Sequence, residues 1–93
     1  MKLEEAVRKI NTYLSSNKSN LSFGESDNLF DIGVIDSFGL IELVLFIEKE
    51  FSISIEIENL SEDNFSNVLS ISNHIYQIIN NEEAKKNYEQ GLG

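Results

Sequence analysis

The sequence has no cysteine, which excludes a disulfide framework, a thiolate metal site and a cysteine nucleophile. The polypeptide supplies no thiol of its own, and a reducing cytoplasm is compatible with that. No apolar run approaches the roughly 20 residues needed to span a bilayer, so no membrane span is expected. The amino end, Met1, Lys2, Leu3, Glu4, Glu5, is too acidic and too amphipathic for a signal peptide. Together these absences predict a soluble, cytoplasmic chain. Basic side chains are scarce: 7 against 16 acidic ones, for a formal net charge of -9. That balance repels phosphate backbones and anionic lipid, so no nucleic-acid partner is expected and proteins with basic surfaces are favoured.

Histidine occurs once, as His74. Serine hydrolysis needs a base oriented by a third group and an oxyanion hole, and His74 stands among Asn73, Ile75 and Tyr76 on a helical stretch, where a surface or capping role is expected. No catalytic residue is assigned. A calcium loop counted from Asp27 would place Leu29 third and Ile32 sixth, where an oxygen ligand and a glycine are required. No metal ligand is assigned either.

With 93 residues, 41% of them hydrophobic, the chain can build one compact domain around one core. Residues 1–81 are expected to form that domain, followed by a charged tail over 82–93. Leu3, Ala6, Val7, Ile10 and Leu14 recur with the spacing of one buried helical stripe, so the first helix spans about Leu3 to Leu14. Asn17 to Asn28 is a long polar loop, with Leu21, Phe23, Leu29, Phe30 and Ile32 available to pin it to the core. Asp36 reads as an N-cap for a second helix from Ser37 to about Glu50. Phe51 to Glu58 alternates with period two, but a lone strand has nothing to pair with; it is read as an extended linker with Ile53, Ile55 and Ile57 facing inward. Ser61 caps a short helix containing Asn64 and Phe65, and Ser70 opens a last helix with Ile71, Ile75, Ile78 and Ile79 on one side. The expected fold is all-α, a four-helix bundle of three main helices and one short one, with a long loop after the first.

Turning about 100° per residue from Ser37, Leu40, Leu43, Val44, Ile47 and Phe51 share one arc of the second helix and are expected in the core. Phe38, Ile41 and Leu45 gather on another side, near the azimuth of Ser37, bordered by Glu42 and Glu48. An apolar patch rimmed by acid has the form of a transient docking site, and these five residues are the candidate partner-docking set.

The run Leu29, Phe30, Asp31, Ile32, Gly33, Val34, Ile35, Asp36, Ser37, Phe38, Gly39 resembles the signature of the acyl and peptidyl carrier proteins: a glycine ahead of an Asp-Ser pair, then a bulky apolar residue. Glu42, Leu43, Val44, Ile47, Glu48, Glu50 and Phe51 resemble that family's second helix. Leu60 to Phe65 resembles its third, and the likeness spans about Leu3 to Asn80. What the resemblance implies is a carrier and not an enzyme. A phosphopantetheinyl transferase would attach 4'-phosphopantetheine from coenzyme A covalently to Ser37, with Asp36 capping the helix and helping the transferase hold its metal ion. The arm's thiol would tether a biosynthetic intermediate as a thioester. An adenylating or other acyl-loading enzyme would load this monomeric carrier, and downstream acyl- or aminoacyl-processing enzymes would unload it.

Two departures bear on cargo. Gly39 and Lys49 stand where fatty-acid carriers usually have acidic residues, and glycine after Asp-Ser-apolar is similar to aminoacyl carriers of the D-alanyl and peptidyl types. Phe46 occupies a position where a small residue is usual. The competing expectation is a non-covalent acidic helical adaptor that uses the same face without modification.

Overall fold

The computed structural model describes residues 2–17 and 22–92, with backbone alone beyond residue 81. Among the described residues four α-helices form: α1 (Leu3–Asn17), α2 (Ser37–Phe51), α3 (Glu62–Phe65) and α4 (Val68–Leu92), with a 3-10 turn at Ile57–Asn59 and no strand. The all-α bundle expected from the hydrophobic periodicity is therefore the architecture found. α1 outruns its predicted end by one turn, and α4 continues through the charged stretch beyond residue 81 to Leu92.

α1 buries Ala6, Ile10 and Leu14 completely, one residue per turn on a single stripe. That stripe packs on α4, whose Val68, Ile71 and Ile75 are equally buried. Phe65, the largest fully buried side chain, comes from the four-residue α3. Ser61 caps this helix by accepting the Asn64 N–H, and burial of Phe65 explains how so short a helix persists, since one turn has little stability of its own.

α1 and α2 are joined by side chains of mixed character. The Lys9 ammonium lies 3.1 Å from Glu50 and 5.4 Å from the centre of the Phe51 ring. Tyr13 stacks on Phe46 with ring centres 4.3 Å apart, which accounts for the aromatic residue at a position where a small one is usual: it fills the α1–α2 junction. The ion pair is partly exposed and is worth about 0.2–1 kcal/mol; the stacked rings contribute about 0.5–1.5 kcal/mol beyond their burial.

α2 ends where Ser52 adopts the left-handed conformation, φ 55° and ψ 46°. The Glu48 carbonyl accepts the N–H of both Ser52 and Ile53, a closing geometry that turns the chain off the helix axis. The linker then directs Ile53 and Ile55 into the core, 7% and 8% exposed, as its period-two pattern predicts. The side chain of Ile57 lies outside the described residues.

Three expectations need correction. The last helix opens at Val68, not Ser70, because Asn67 Oδ1 accepts the Ser70 N–H at 2.7 Å and takes the capping position. Ile32 does not pin the loop; it is 39% exposed. The segment from Asn28 to Ile35 gives its core positions to Leu29, Val34 and Ile35, all buried, and reverses at Gly33, whose φ of 81° suits glycine. His74 has neither a surface nor a capping role: it is half-buried, edge-on to Phe65 at 5.7 Å. Leu29 and Phe23 do anchor the loop and Phe30 packs beside them, while Leu21 lies outside the described residues. The loop's backbone is tied down at Leu29 N–H to Ser66 carbonyl, 2.7 Å, and Leu69 N–H to Glu25 carbonyl, 3.2 Å.

Candidate functional site

The approach to α2 is built by hydrogen bonds within its own loop. Asn28 Oδ1 accepts the N–H groups of Phe30 and Asp31, both at 3.0 Å, an Asx turn that starts a tight coil. The Leu29 carbonyl then accepts from Val34 and Ile35, at 2.9 and 3.1 Å. With Leu29, Val34 and Ile35 buried, the next two residues are delivered to the surface at a fixed place. They are Asp36 and Ser37.

Asp36 is extended, φ -116° and ψ -174°, and is the N-cap of α2. Its Oδ1 accepts the Gly39 N–H at 2.7 Å, and its carbonyl accepts the Leu40 N–H at 2.9 Å. The carboxylate also adds negative charge at the positive end of the helix dipole. Ser37 is the first helical residue and is exposed. A hydroxyl there stands where the first-turn backbone N–H groups have no intrahelical partners, and where a phosphoryl group bonded to it would meet those donors and the dipole. Exposure of the hydroxyl and the electropositive helix end fit a covalent phosphodiester.

Around the helix from Ser37, three of the five apolar residues expected in the core are buried there and two are not fully so. Leu43, Val44 and Ile47 are buried, while Leu40 and Phe51 are half-buried and pack against that core from its edge. Phe38, Ile41 and Leu45 are 75%, 57% and 61% exposed. Together with Ile32 they are the large hydrophobic side chains exposed among the described residues. Three of the four lie on one face of α2, within about 100° of Ser37, and so α2 does not bury its full circumference. Glu42 is exposed beside them and Glu48 half-buried.

Glu48 does something the sequence pattern did not disclose. Its Oε2 accepts the Ile55 N–H at 2.9 Å, so this carboxylate is engaged within the fold as well as bordering the apolar face. A glutamate seven residues ahead of a buried linker isoleucine carries no recognisable signal, because the bond depends on how the chain turns at Ser52. Buried Val34 and Ile35 were also not foreseen as core, although two β-branched residues after a glycine were the available clue.

Among the described residues no group of three or more histidine, aspartate or glutamate side chains is placed to hold a metal ion, and no helix is long and apolar enough to cross a membrane. Glu58 has its carboxyl pushed up from the ordinary value by a hydrogen bond with Glu56 and by that neighbour's charge; both are exposed and distant in sequence from Ser37.

The chain matches the family model described as "Phosphopantetheine attachment site" over residues 16–75, a span that takes in the loop, α2, the linker, α3 and the first part of α4. It is also similar to proteins named D-alanyl carrier protein from Streptococcus pyogenes serotype M5 (strain Manfredo), serotype M49 (strain NZ131) and serotype M1. Each is 38% identical over 45 residues, covering 48% of this chain and 57% of the relative. The chain thus spans little more than half the length of the curated relatives it matches.

Proposed function

This chain belongs to the phosphopantetheine attachment site family, a family of carriers whose cofactor is covalent 4'-phosphopantetheine, and from that premise we propose that Ser37 is the attachment residue. In the proposed modification the Ser37 Oγ forms a bond to phosphorus, the hydroxyl proton leaves, and the bond between that phosphorus and the nucleotide half of coenzyme A breaks. When bound, the arm supplies a flexible tether ending in a thiol, the group this cysteine-free polypeptide lacks. The chain's own residues then have distinct tasks. Asp36 holds the first turn of α2 closed through the Gly39 N–H and lends its carboxylate to the transferase's metal ion. The exposed Phe38, Ile41 and Leu45 meet successive enzymes, with Glu42 and Glu48 steering basic surfaces toward them.

The cargo we propose is an aminoacyl group. Gly39 after Asp-Ser-Phe is similar to aminoacyl carriers, and the curated relatives are named D-alanyl carrier proteins. The carrier acts as a monomer in the cytoplasm, loaded by an adenylating enzyme and unloaded by an aminoacyl-processing one. A docking face of three apolar side chains suits that cycle, because small contacts dissociate quickly enough for one carrier to visit several enzymes.

The observation that carries this reading is an exposed serine at the start of α2, capped by its neighbouring aspartate and flanked by an exposed apolar face. The test is expression with a phosphopantetheinyl transferase and coenzyme A, followed by intact-mass measurement. Wild type should gain the mass of one arm and Ser37→Ala none; a Ser37→Ala chain that still gains it would refute the assignment. A wild-type chain that folds but is never modified would instead support the adaptor reading, which the exposed face alone could serve.

A further inference from the structure

We propose that Glu48 is a latch that couples docking on the α2 face to release of the linker after α2; the proposal rests on the docking reading above. Residue 48 holds that linker at three points. Its carbonyl accepts the Ser52 and Ile53 N–H groups, the latter at 3.2 Å, and its carboxylate accepts the Ile55 N–H at 2.9 Å. The two carbonyl contacts belong to the helix end and are indifferent to partners. The carboxylate contact is different, because the same group lies close to the azimuth of Ser37, one turn beyond Leu45, at the border of the exposed apolar face.

A carboxylate accepting a neutral N–H forms a charge-assisted bond, yet a bidentate pair with a guanidinium is stronger and fixes the plane of the carboxylate, so a partner arginine on the outer face would turn the group away from the linker. The partner that fits this face is a protein surface placing an arginine beside an apolar contact, complementary to a chain of net charge -9 whose apolar patch is bordered by Glu42 and Glu48. When such an arginine draws the Glu48 carboxylate outward, away from the linker, the Ile55 N–H loses its acceptor. Ile55 and Ile53 are held in the core by burial, so the linker is not expelled; it opens more often. The segment that gains freedom runs from Ile53 through the 3-10 turn to Ser61, the cap of α3. Docking on one side of α2 thereby loosens the connection that positions α3.

Amide exchange read residue by residue by NMR tests this. In the isolated protein, Glu48→Ala should speed exchange at Ile55 by about ten- to a hundredfold, the size expected for losing one hydrogen bond to a charged acceptor, with Leu43 and Ile47 unchanged. Glu48→Gln, which keeps an acceptor oxygen, should fall between wild type and Glu48→Ala and covers the case in which the alanine variant fails to fold. Saturation of wild type with a phosphopantetheinyl transferase should shift the resonances of Phe38, Ile41 and Leu45 and speed Ile55 exchange, while Glu48→Ala shows no further change at Ile55. Shifts at those three residues with Ile55 exchange unchanged or slowed would overturn the latch and leave the docking reading standing. Transferase binding with no shifts at Phe38, Ile41 and Leu45 would overturn both.

Discussion

Replacement of Asp36 separates two tasks that the proposed function assigns to one carboxylate. Within the fold, Asp36 Oδ1 accepts the Gly39 N–H at 2.7 Å and caps α2. Deleting an N-cap acceptor costs about 1 kcal/mol, within a range of about 0.5–2, and in a domain of this size each kcal/mol moves the melting temperature by about 4–8 °C. Asp36→Ala should therefore melt lower by roughly 4–8 °C. Asp36→Asn keeps an oxygen in the same place and asparagine caps about as well as aspartate, losing only the favourable charge at the helix N-terminus, about 0.3–1 kcal/mol. It should melt between wild type and Asp36→Ala. Toward a phosphopantetheinyl transferase the two variants should look alike, because neither offers a carboxylate to the enzyme's metal ion. The assay pairs thermal melting by circular dichroism with intact-mass kinetics of arm attachment. Asp36→Asn melting as low as Asp36→Ala would refute the capping argument, and Asp36→Asn accepting the arm at the wild-type rate would refute the metal-holding role.

The remaining predictions concern the core, the turn and pH. Leu43→Ala, at a fully buried position, should cost about 2–5 kcal/mol, and Phe51→Ala, half-buried at the bundle edge, distinctly less; equal losses in urea melts would contradict the burial pattern of α2. Gly33→Ala has open space for its Cβ but inherits a φ of 81°, so it should lose about 1–2 kcal/mol from backbone strain alone, and an unchanged denaturation midpoint would show that the turn before Asp36 relaxes. Burial pushes the His74 imidazole below its ordinary value, so the unfolded chain takes up this proton first. His74 therefore lowers stability as pH falls through the unfolded value of about 6.5 toward the lower folded one, and the effect is complete below that. His74→Gln should abolish that part of the decline, seen as the difference between wild type and variant in urea melts at about pH 7.5 and about pH 5.5; parallel pH dependence in the two would rule out a buried neutral imidazole.

How far the sequence disclosed this molecule depended on the range of the forces involved. Helical periodicity is local, so the stripe of Ala6, Ile10 and Leu14, the split of α2 into Leu43, Val44 and Ile47 against Phe38, Ile41 and Leu45, and the Asp36 cap all followed from spacing and residue type. The start of α4 did not, because Ser70 and Asn67 are both competent caps and the choice fell to whichever left Val68 free to enter the core. Ile32 was misplaced for a related reason. Composition says that an apolar loop residue can be buried, but the turn closed by the Leu29 carbonyl decides which ones are. Two contacts were beyond local reasoning altogether: Tyr13 on Phe46 and Glu48 on Ile55. Each joins segments whose approach is set by packing elsewhere.

These contacts show how one helix can serve two masters. The inward side of α2 is fixed by Leu43, Val44 and Ile47 in the core and by the Phe46 and Glu50 contacts to α1. With that side anchored, Phe38, Ile41 and Leu45 are not needed for stability, and their exposure costs the fold only the burial they forgo, about 1.5–3 kcal/mol for a fully buried large apolar side chain. A monomeric domain with no use for an exposed patch would gain by making these positions polar, since contiguous apolar surface invites association. The docking role proposed for them gives that exposure a use. Anchoring also constrains what such contacts can do. A partner pressing on this face cannot shift α2 without breaking the α1 junction, whereas the linker beyond Ser52 is held to α2 by hydrogen bonds to Glu48 and by two isoleucines. Mechanical response to docking should thus appear in the linker and not in the helix, and comparison of amide exchange across α2 with that across Ile53–Asn59 in the transferase-bound state would decide it: loosening confined to α2 would contradict this division of rigidity.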